Sequence, residues 1–234
     1  MSALSRLWQK AKKFLLFLFL AQFAYIVLLK WVDPPITITQ LTNWVQGHGL
    51  RRDYVDYEDI SPYMKLAVMA SEDQLFPDHN GFDIKSIQKA LQHNKKKPKR
   101  VRGASTISQQ VAKNVFLWQG RSWVRKVLEV YFTFMIELVW GKERILEVYL
   151  NVAETGTGIF GVEAAAQAYF KKPAKKLSRS EAAMIAACLP NPKKYKVKPL
   201  SKYVERRYPW IVNQMYNLEG DEDIEQLLGR TKKK

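Results

Sequence analysis

Cysteine is nearly absent from this 234-residue chain. Cys188 stands alone, so no intrachain disulfide can form, and its setting in the apolar AAMIAACLP marks a small buried hydrophobe rather than a thiolate nucleophile. Histidine is scarce at three residues, and no His/Cys/Asp spacing specifies a metal site. Acidic residues number 22 against 38 Lys and Arg, and the resulting net charge of +16 calls for an anionic partner: nucleic acid, anionic lipid or a phosphorylated substrate. No run of period-two alternation argues for a sheet. No internal repeat is visible, and low complexity is confined to NKKKPKRVR and the terminal TKKK. A disulfide scaffold, an all-β domain and a repeat array are therefore excluded. With 47% hydrophobic residues, disorder is not the default either, since a sizeable core is affordable.

A long hydrophobic run is present. Residues 14–32, FLLFLFLAQFAYIVLLKWV, carry no charge before Lys30. At 1.5 Å per residue they span roughly 28 Å as a helix, about one hydrocarbon core, with Lys30 able to snorkel and Trp31 suited to the interface. The following KWVDPPITI lacks a small-residue cleavage pattern, so an uncleaved anchor is expected rather than a signal peptide. Arg6, Lys10, Lys12 and Lys13 precede the run, which keeps the N-terminus cytoplasmic and sends everything after residue 33 across the membrane.

Beyond the span, Asp33, Pro34 and Pro35 act as a stop, and residues 33–60 read as a linker. A mainly α domain is expected over residues 61–220, with a tail over 221–234. In SPYMKLAVMASED, Ser61 caps, Pro62 suits the first helical position, and Glu72 falls near the helix C-terminus. Asp83 caps IKSIQKALQH, and six basic residues in the eight from Lys95 to Arg102 read as an exposed loop. Ser105 or Thr106 caps ISQQVAKNVF; Ser122 caps WVRKVLEVYFTFMIELVW, a segment so apolar that Arg125, Lys126, Glu129 and Glu137 within it need partners. Further helices are expected at KERILEVYLN, GVEAAAQAYF, SRSEAAMIAACL with a Ser178/Glu181 capping box, and LSKYVERRYPWIVNQMYNL.

An acidic pair such as Glu72 and Asp73 is by default a solvated helix end. Context argues otherwise. ASEDQLFPDHNGFD resembles the E-D-x-x-F-x-x-H-x-G-x-D segment of the family-51 glycosyltransferases, the peptidoglycan polymerases. GASTISQQVAKN, RKVLE, KERILEVYLNVAETGTGIFGVEAAAQAYF and LSRSEAAMIAACLPNP follow in the order expected of that family. Ala104, where many relatives have a second Gly, and the Thr155 to Thr157 turn depart from the pattern without touching a charged position. Too few residues follow for a penicillin-binding domain, so the resemblance is to the monofunctional, membrane-anchored members. It implies a lysozyme-like α fold with a membrane-associated jaw beside the cleft, and polymerisation of lipid II into β-1,4 glycan strands at a bacterial inner membrane, with the catalytic domain periplasmic.

The chemistry makes its own demands. Displacing undecaprenyl pyrophosphate by a sugar 4-hydroxyl needs one base and cations for the departing group. Glu72 is the expected base, at a helix end whose dipole favours holding a proton. Asp73 is expected to position Glu72 or the acceptor, and the resemblance implies Glu129 as a second carboxylate at the pyrophosphate end. Lys113 and Arg121 match family positions that contact phosphate, and Arg suits a pyrophosphate by its planar fork. Ser105, Thr106 and Gln110 are expected to hydrogen-bond in the donor cleft, with Arg125 beside them; against this, Glu129 and Arg125 also stand at ordinary helical ion-pair spacing. His79 is expected to brace the loop after Glu72. No metal site is encoded, though a Mg2+ or Mn2+ bridging the substrate's pyrophosphate fits its chemistry. The expected partners are lipid II, the growing glycan chain and the membrane surface, with room for other cell-wall synthesis or division proteins. No nucleic acid is expected, because the basic loop falls outside the cytoplasm and carries no recognition motif. A hydrolase on the same fold is the nearest rival, but it needs a protonated acid at the leaving oxygen rather than cations.

Overall fold

The computed structural model describes residues 3–98, 103–120 and 122–230. They fall into two compact units, Met1–Pro34 and Pro35–Lys234.

The first unit is one helix, α1 (Ala3–Leu28), and its Leu4–Leu28 stretch is long and apolar enough to cross a membrane. The helix begins earlier than the expected span and ends sooner. Arg6, Lys10, Lys12 and Lys13 are good helix formers whose long side chains do not interrupt it. At the other end, Lys30 and Trp31 donate to the carbonyls of Val27 and Leu28, so the chain tightens into three-residue turns before Asp33 and Pro34.

The second unit is mainly α. Residues 33–60, expected as a linker, are structured instead: α2 (Ile38–Val45), strand β1 (Arg51–Arg52) and a 3-10 turn (Tyr57–Asp59) all fall there. Thr37 and Gln40 form a capping box at the start of α2. The helices α3 (Pro62–Glu72), α4 (Ile84–Lys96), α5 (Ile107–Phe116), α6 (Trp123–Val139) and α7 (Lys142–Val152) follow. Strands β2 (Glu154–Gly156) and β3 (Ile159–Phe160) lead to α8 (Val162–Phe170), a 3-10 turn, α9 (Arg179–Cys188), α10 (Lys202–Leu218) and α11 (Glu222–Leu227). The expected tail thus carries a helix, capped by Asp221, whose Ile224 and Leu227 are buried. The sheet was not expected. Its strands, in the order β1-β3-β2 with β1 parallel and β2 antiparallel to β3, are only two or three residues long, too short to display an alternation.

Helix α3 is the axis of the core. Met64 through Ala70 are all buried, and α9 and α10 lie against it. Ala182, Ala183, Ala186 and Ala187 on α9 are buried small residues that allow close approach. A second group, α5 against α6 and α7, closes the other side. The site falls where the C-terminus of α3 meets the N-terminus of α5, and this junction is tight. Gly81 sits at φ +83°, and a β-carbon there would lie 2.7 Å from Cγ2 of Thr133, so only glycine fits the turn that leads from α3 to α4.

Candidate active site

Ser61 caps α3 through the amide of Tyr63, and Pro62 begins it, so the helix length is fixed from its first turn and Glu72 becomes its last residue. Asp73 is the cap residue with non-helical backbone, and the two adjacent side chains part company. Glu72 is half-buried on the wall of a cleft of about 450 Å3 that Ser105, Thr106 and Trp210 also line. Its Oε2 accepts a hydrogen bond from Nε2 of Gln110 at 2.9 Å, and Oε1 of Gln110 accepts one from the buried Tyr149 hydroxyl at 3.3 Å. Burial raises the pKa of Glu72, with the neighbouring Asp73 adding slightly; the Gln110 hydrogen bond, Arg207 and Lys113 work against the rise. The carboxyl is thereby shifted in the direction a base near neutral pH requires.

Asp73 serves the fold. Its carboxylate is buried, accepts the backbone amide of Ile107 at 2.9 Å on Oδ2, and lies 3.0 and 3.1 Å from Nε2 of His79. The amide belongs to the first residue of α5, so a carboxylate sits at that helix N-terminus where the dipole favours it. His79 accordingly braces Asp73, the brace expected for the loop. Thr106 is committed as well: its hydroxyl donates to the carbonyl of Gly81 at 2.7 Å and accepts the Gln109 amide at 3.2 Å, within a capping box. Of the expected cleft hydroxyls, only Ser105 is exposed at the wall.

Further along α5, burial pulls the pKa of Lys113 down while Glu129 and Glu72 push it up, so this cation stands within electrostatic reach of both carboxylates. Glu129 is buried on α6 and holds two cations of its own helix, Arg125 at 2.8 Å and Lys126. The helical-spacing ion pair is realised, and Nε of Arg125 also donates to the carbonyl of Gly120 at 2.7 Å. Arg121 lies outside the described residues. Among the described residues no group of three or more His, Cys, Asp or Glu is arranged to hold a metal ion.

Two contributors were missed from sequence. Tyr149 reaches Gln110 from α7, and Arg207, on α10, acts on Glu72 while its guanidinium stacks over the Trp210 ring at 3.6 Å. The spacing of Arg207 and Trp210, three positions apart on a helix, was the available signal; nothing local marked Tyr149.

A family model described as Transglycosylase matches residues 38–216, from the first residue of α2 into α10. The chain belongs to the transglycosylase family. It is 54% identical over 224 residues to the biosynthetic peptidoglycan transglycosylase of Yersinia pseudotuberculosis serotype IB (strain PB1/+), covering 93% of each chain. It is 58% identical over 190 residues to the protein of the same description from Escherichia coli strain Crooks, covering 80% of this chain and 78% of that one. The matched transglycosylase region takes in every site residue described above, together with α2 and β1.

Proposed function

We propose that this transglycosylase polymerises lipid II into β-1,4-linked glycan strands and releases undecaprenyl pyrophosphate, by a single inverting displacement with Glu72 as general base. The observation that carries the reading is the charge layout: a half-buried carboxyl with a raised pKa on the cleft wall, Lys113 within electrostatic reach of both Glu72 and Glu129, and Glu129 holding Arg125 and Lys126.

In the step, the acceptor 4-hydroxyl passes its proton to Glu72 as its oxygen bonds to the anomeric carbon. The bond from that carbon to pyrophosphate breaks, and the electron pair leaves on the phosphate oxygen. Inversion at an α-linked carbon yields the β-linked product without a covalent intermediate. Three cations against one carboxylate leave the surroundings of Glu129 net positive, which favours a departing pyrophosphate. Glu129 then acts by orienting Arg125 and Lys126 rather than by proton transfer, since both its oxygens are taken. The donor set around Glu129 is cationic and unsuited to a protein-held metal; a Mg2+ or Mn2+ enters this scheme only as a companion of the pyrophosphate, and no step is routed through it.

The α1 span, with its preceding cations, supports an inner-membrane anchor with the N-terminus cytoplasmic and the catalytic unit periplasmic. The exposed stripe Trp123, Val127, Phe134 and Leu138 on α6 supports a jaw that dips into the bilayer surface. Other cell-wall synthesis or division proteins remain partners to be sought by this reading.

The test is incubation of the full chain with labelled lipid II. Lysozyme-sensitive polymer is expected, and Glu72→Gln should lower its rate by about 10²- to 10⁴-fold while lipid II still binds. Near wild-type polymerisation by that variant sinks the base assignment. Release of fragments from mature glycan without lipid II sinks the transferase reading in favour of a hydrolase.

A further inference from the structure

Helix α2 is amphipathic the wrong way round for a protein in water. Its buried residues are polar: Thr39, Gln40 and Asn43. Its exposed residues are Ile38, Leu41, Trp44 and Val45, the last two at 59% and 76% exposure, with Thr42 as the one polar residue among them. At 100° per residue these four fall on one continuous side of the helix and the polar three on the other. The inversion is built in by hydrogen bonds. The Gln119 side chain donates to Oγ1 of Thr39 at 2.7 Å, Gln40 accepts the Thr37 amide at 3.0 Å, and Asn43 donates to the Thr39 carbonyl at 3.0 Å. Rotating the helix to bury its apolar side would break the Gln119 bond and the one that Nε2 of Gln40 donates to the Tyr54 hydroxyl at 3.3 Å, so the apolar side is held outward; the other two bonds lie within the helix and its cap.

We propose that this side of α2 lies on an anionic bilayer surface, as a contact separate from both the α1 span and the α6 stripe. Covalent reach favours the bilayer as occupant. Nine residues separate Leu28, the end of the membrane-length helix, from Ile38, a tether no longer than about 36 Å when fully extended. Charge agrees: from Pro34 to Arg52 the sequence contains no Asp or Glu, while Arg51 and Arg52 are exposed just beyond the helix. Cations flanking an apolar helix that carries an outward Trp suit lipid headgroups over a second protein surface. The contact has a mechanical consequence. Because Gln119 ties α2 to the turn between α5 and α6, seating α2 on the lipid fixes the height at which the cleft helices stand above it.

The experiment uses the full chain reconstituted into vesicles of phosphatidylcholine with or without phosphatidylglycerol. Cys188 is buried and its thiol is pushed up to about 12, so a fluorophore reacts selectively with an introduced Val45→Cys. Glu222→Cys, on the exposed acidic start of α11, is the comparison. The label at position 45 should be blue-shifted and quenched by spin-labelled lipid at least about threefold more than the label at 222, more so with phosphatidylglycerol. Arg51→Gln should diminish that lipid dependence. Emission and quenching at 45 equal to those at 222 overturns the proposal. So does energy transfer between labelled copies without lipid quenching, which assigns the surface to a second copy of the chain. Neither result bears on Glu72, so the proposal and the catalytic reading fail separately.

Discussion

Gln110 offers the sharpest test of how the cleft tunes its base. Its amide donates to Glu72 at 2.9 Å, and the Tyr149 hydroxyl holds the amide oxygen in the opposite direction, so the N–H is presented to the carboxylate. A hydrogen bond to a charged group contributes about 1.5–3 kcal/mol, and one pKa unit corresponds to about 1.4 kcal/mol. Replacing Gln110 with Leu should therefore raise the pKa of Glu72 by about one to two units beyond the rise that burial already imposes. The sign follows from the role. With Glu72 as the proposed base, the ionised carboxyl is the working form, so activity should fall as pH drops through the Glu72 pKa, and losing the donor should move that limb to higher pH.

The assay is kcat/KM for lipid II across pH, which reports the free enzyme. Gln110→Leu should lose most activity at the acid end and recover at high pH. Tyr149→Phe, which removes a neutral hydrogen bond worth about 0.5–1.5 kcal/mol, should shift the limb the same way by less than about one unit. The double variant relieves the unpaired Tyr149 hydroxyl that Gln110→Leu leaves behind, and so separates instability from tuning. A loss that is uniform across pH, with the limb unmoved, refutes the argument and returns Gln110 to the sequence-based expectation of a substrate ligand.

Asp73→Asn should move the same limb slightly to lower pH, because the Asp73 charge adds to the rise at Glu72, and should cost about 1–3 kcal/mol in denaturant unfolding by weakening the Ile107 and His79 contacts; a variant of wild-type stability shows that Asp73 is not the brace. Lys113→Ala should lower kcat/KM by about 10²-fold with unchanged helix content, as expected for a lost leaving-group cation, and normal polymerisation refutes that role. Lys65, buried on α3 against the Tyr57 ring at 3.5 Å, has its pKa lowered to about 8 by burial, against Glu58, Glu143 and Glu147. The unfolded chain then holds the extra proton between about pH 8 and the ordinary lysine value, so Lys65→Met should raise the Tm at pH 7 and lose that advantage near pH 10.5; an equal gain at both pH values contradicts the burial penalty.

What was legible in the sequence was local. Ser61 with Pro62, Asp83, Ser122 and the Ser178/Glu181 box all cap the helices they were expected to cap, because each interaction closes within three residues. Glu72 fell at the end of α3 for the same reason. Helix α2 was not legible, since its buried side is polar and reads as a linker on any hydrophobic pattern. The sheet was lost to strand length. Within the site, the Glu72 to Gln110 contact joins two segments singled out from sequence, whereas Tyr149 and Arg207 arrive from α7 and α10, and only the folded chain brings those helices to the cleft. Thr106 was expected at the substrate and is spent on the Gly81 turn instead, because a hydroxyl that caps a helix and holds a carbonyl has no remaining proton to offer.

Adjacent carboxylates at one helix end can do different work only if the fold gives them different surroundings. Here the last residue of a buried helix faces the cleft, and the next, with φ at −161°, turns inward. Asp73 is bonded to the first amide of α5, the helix that supplies Gln110 and Lys113. The brace that satisfies Asp73 therefore also fixes the register of the groups that tune Glu72. Moving α5 by one residue would carry Gln110 away from Glu72 and alter the electrostatic reach of Lys113 to Glu72 and Glu129. On the proposed function, the pair at positions 72 and 73 is one base and one clamp, with the clamp holding the helix on which the base depends.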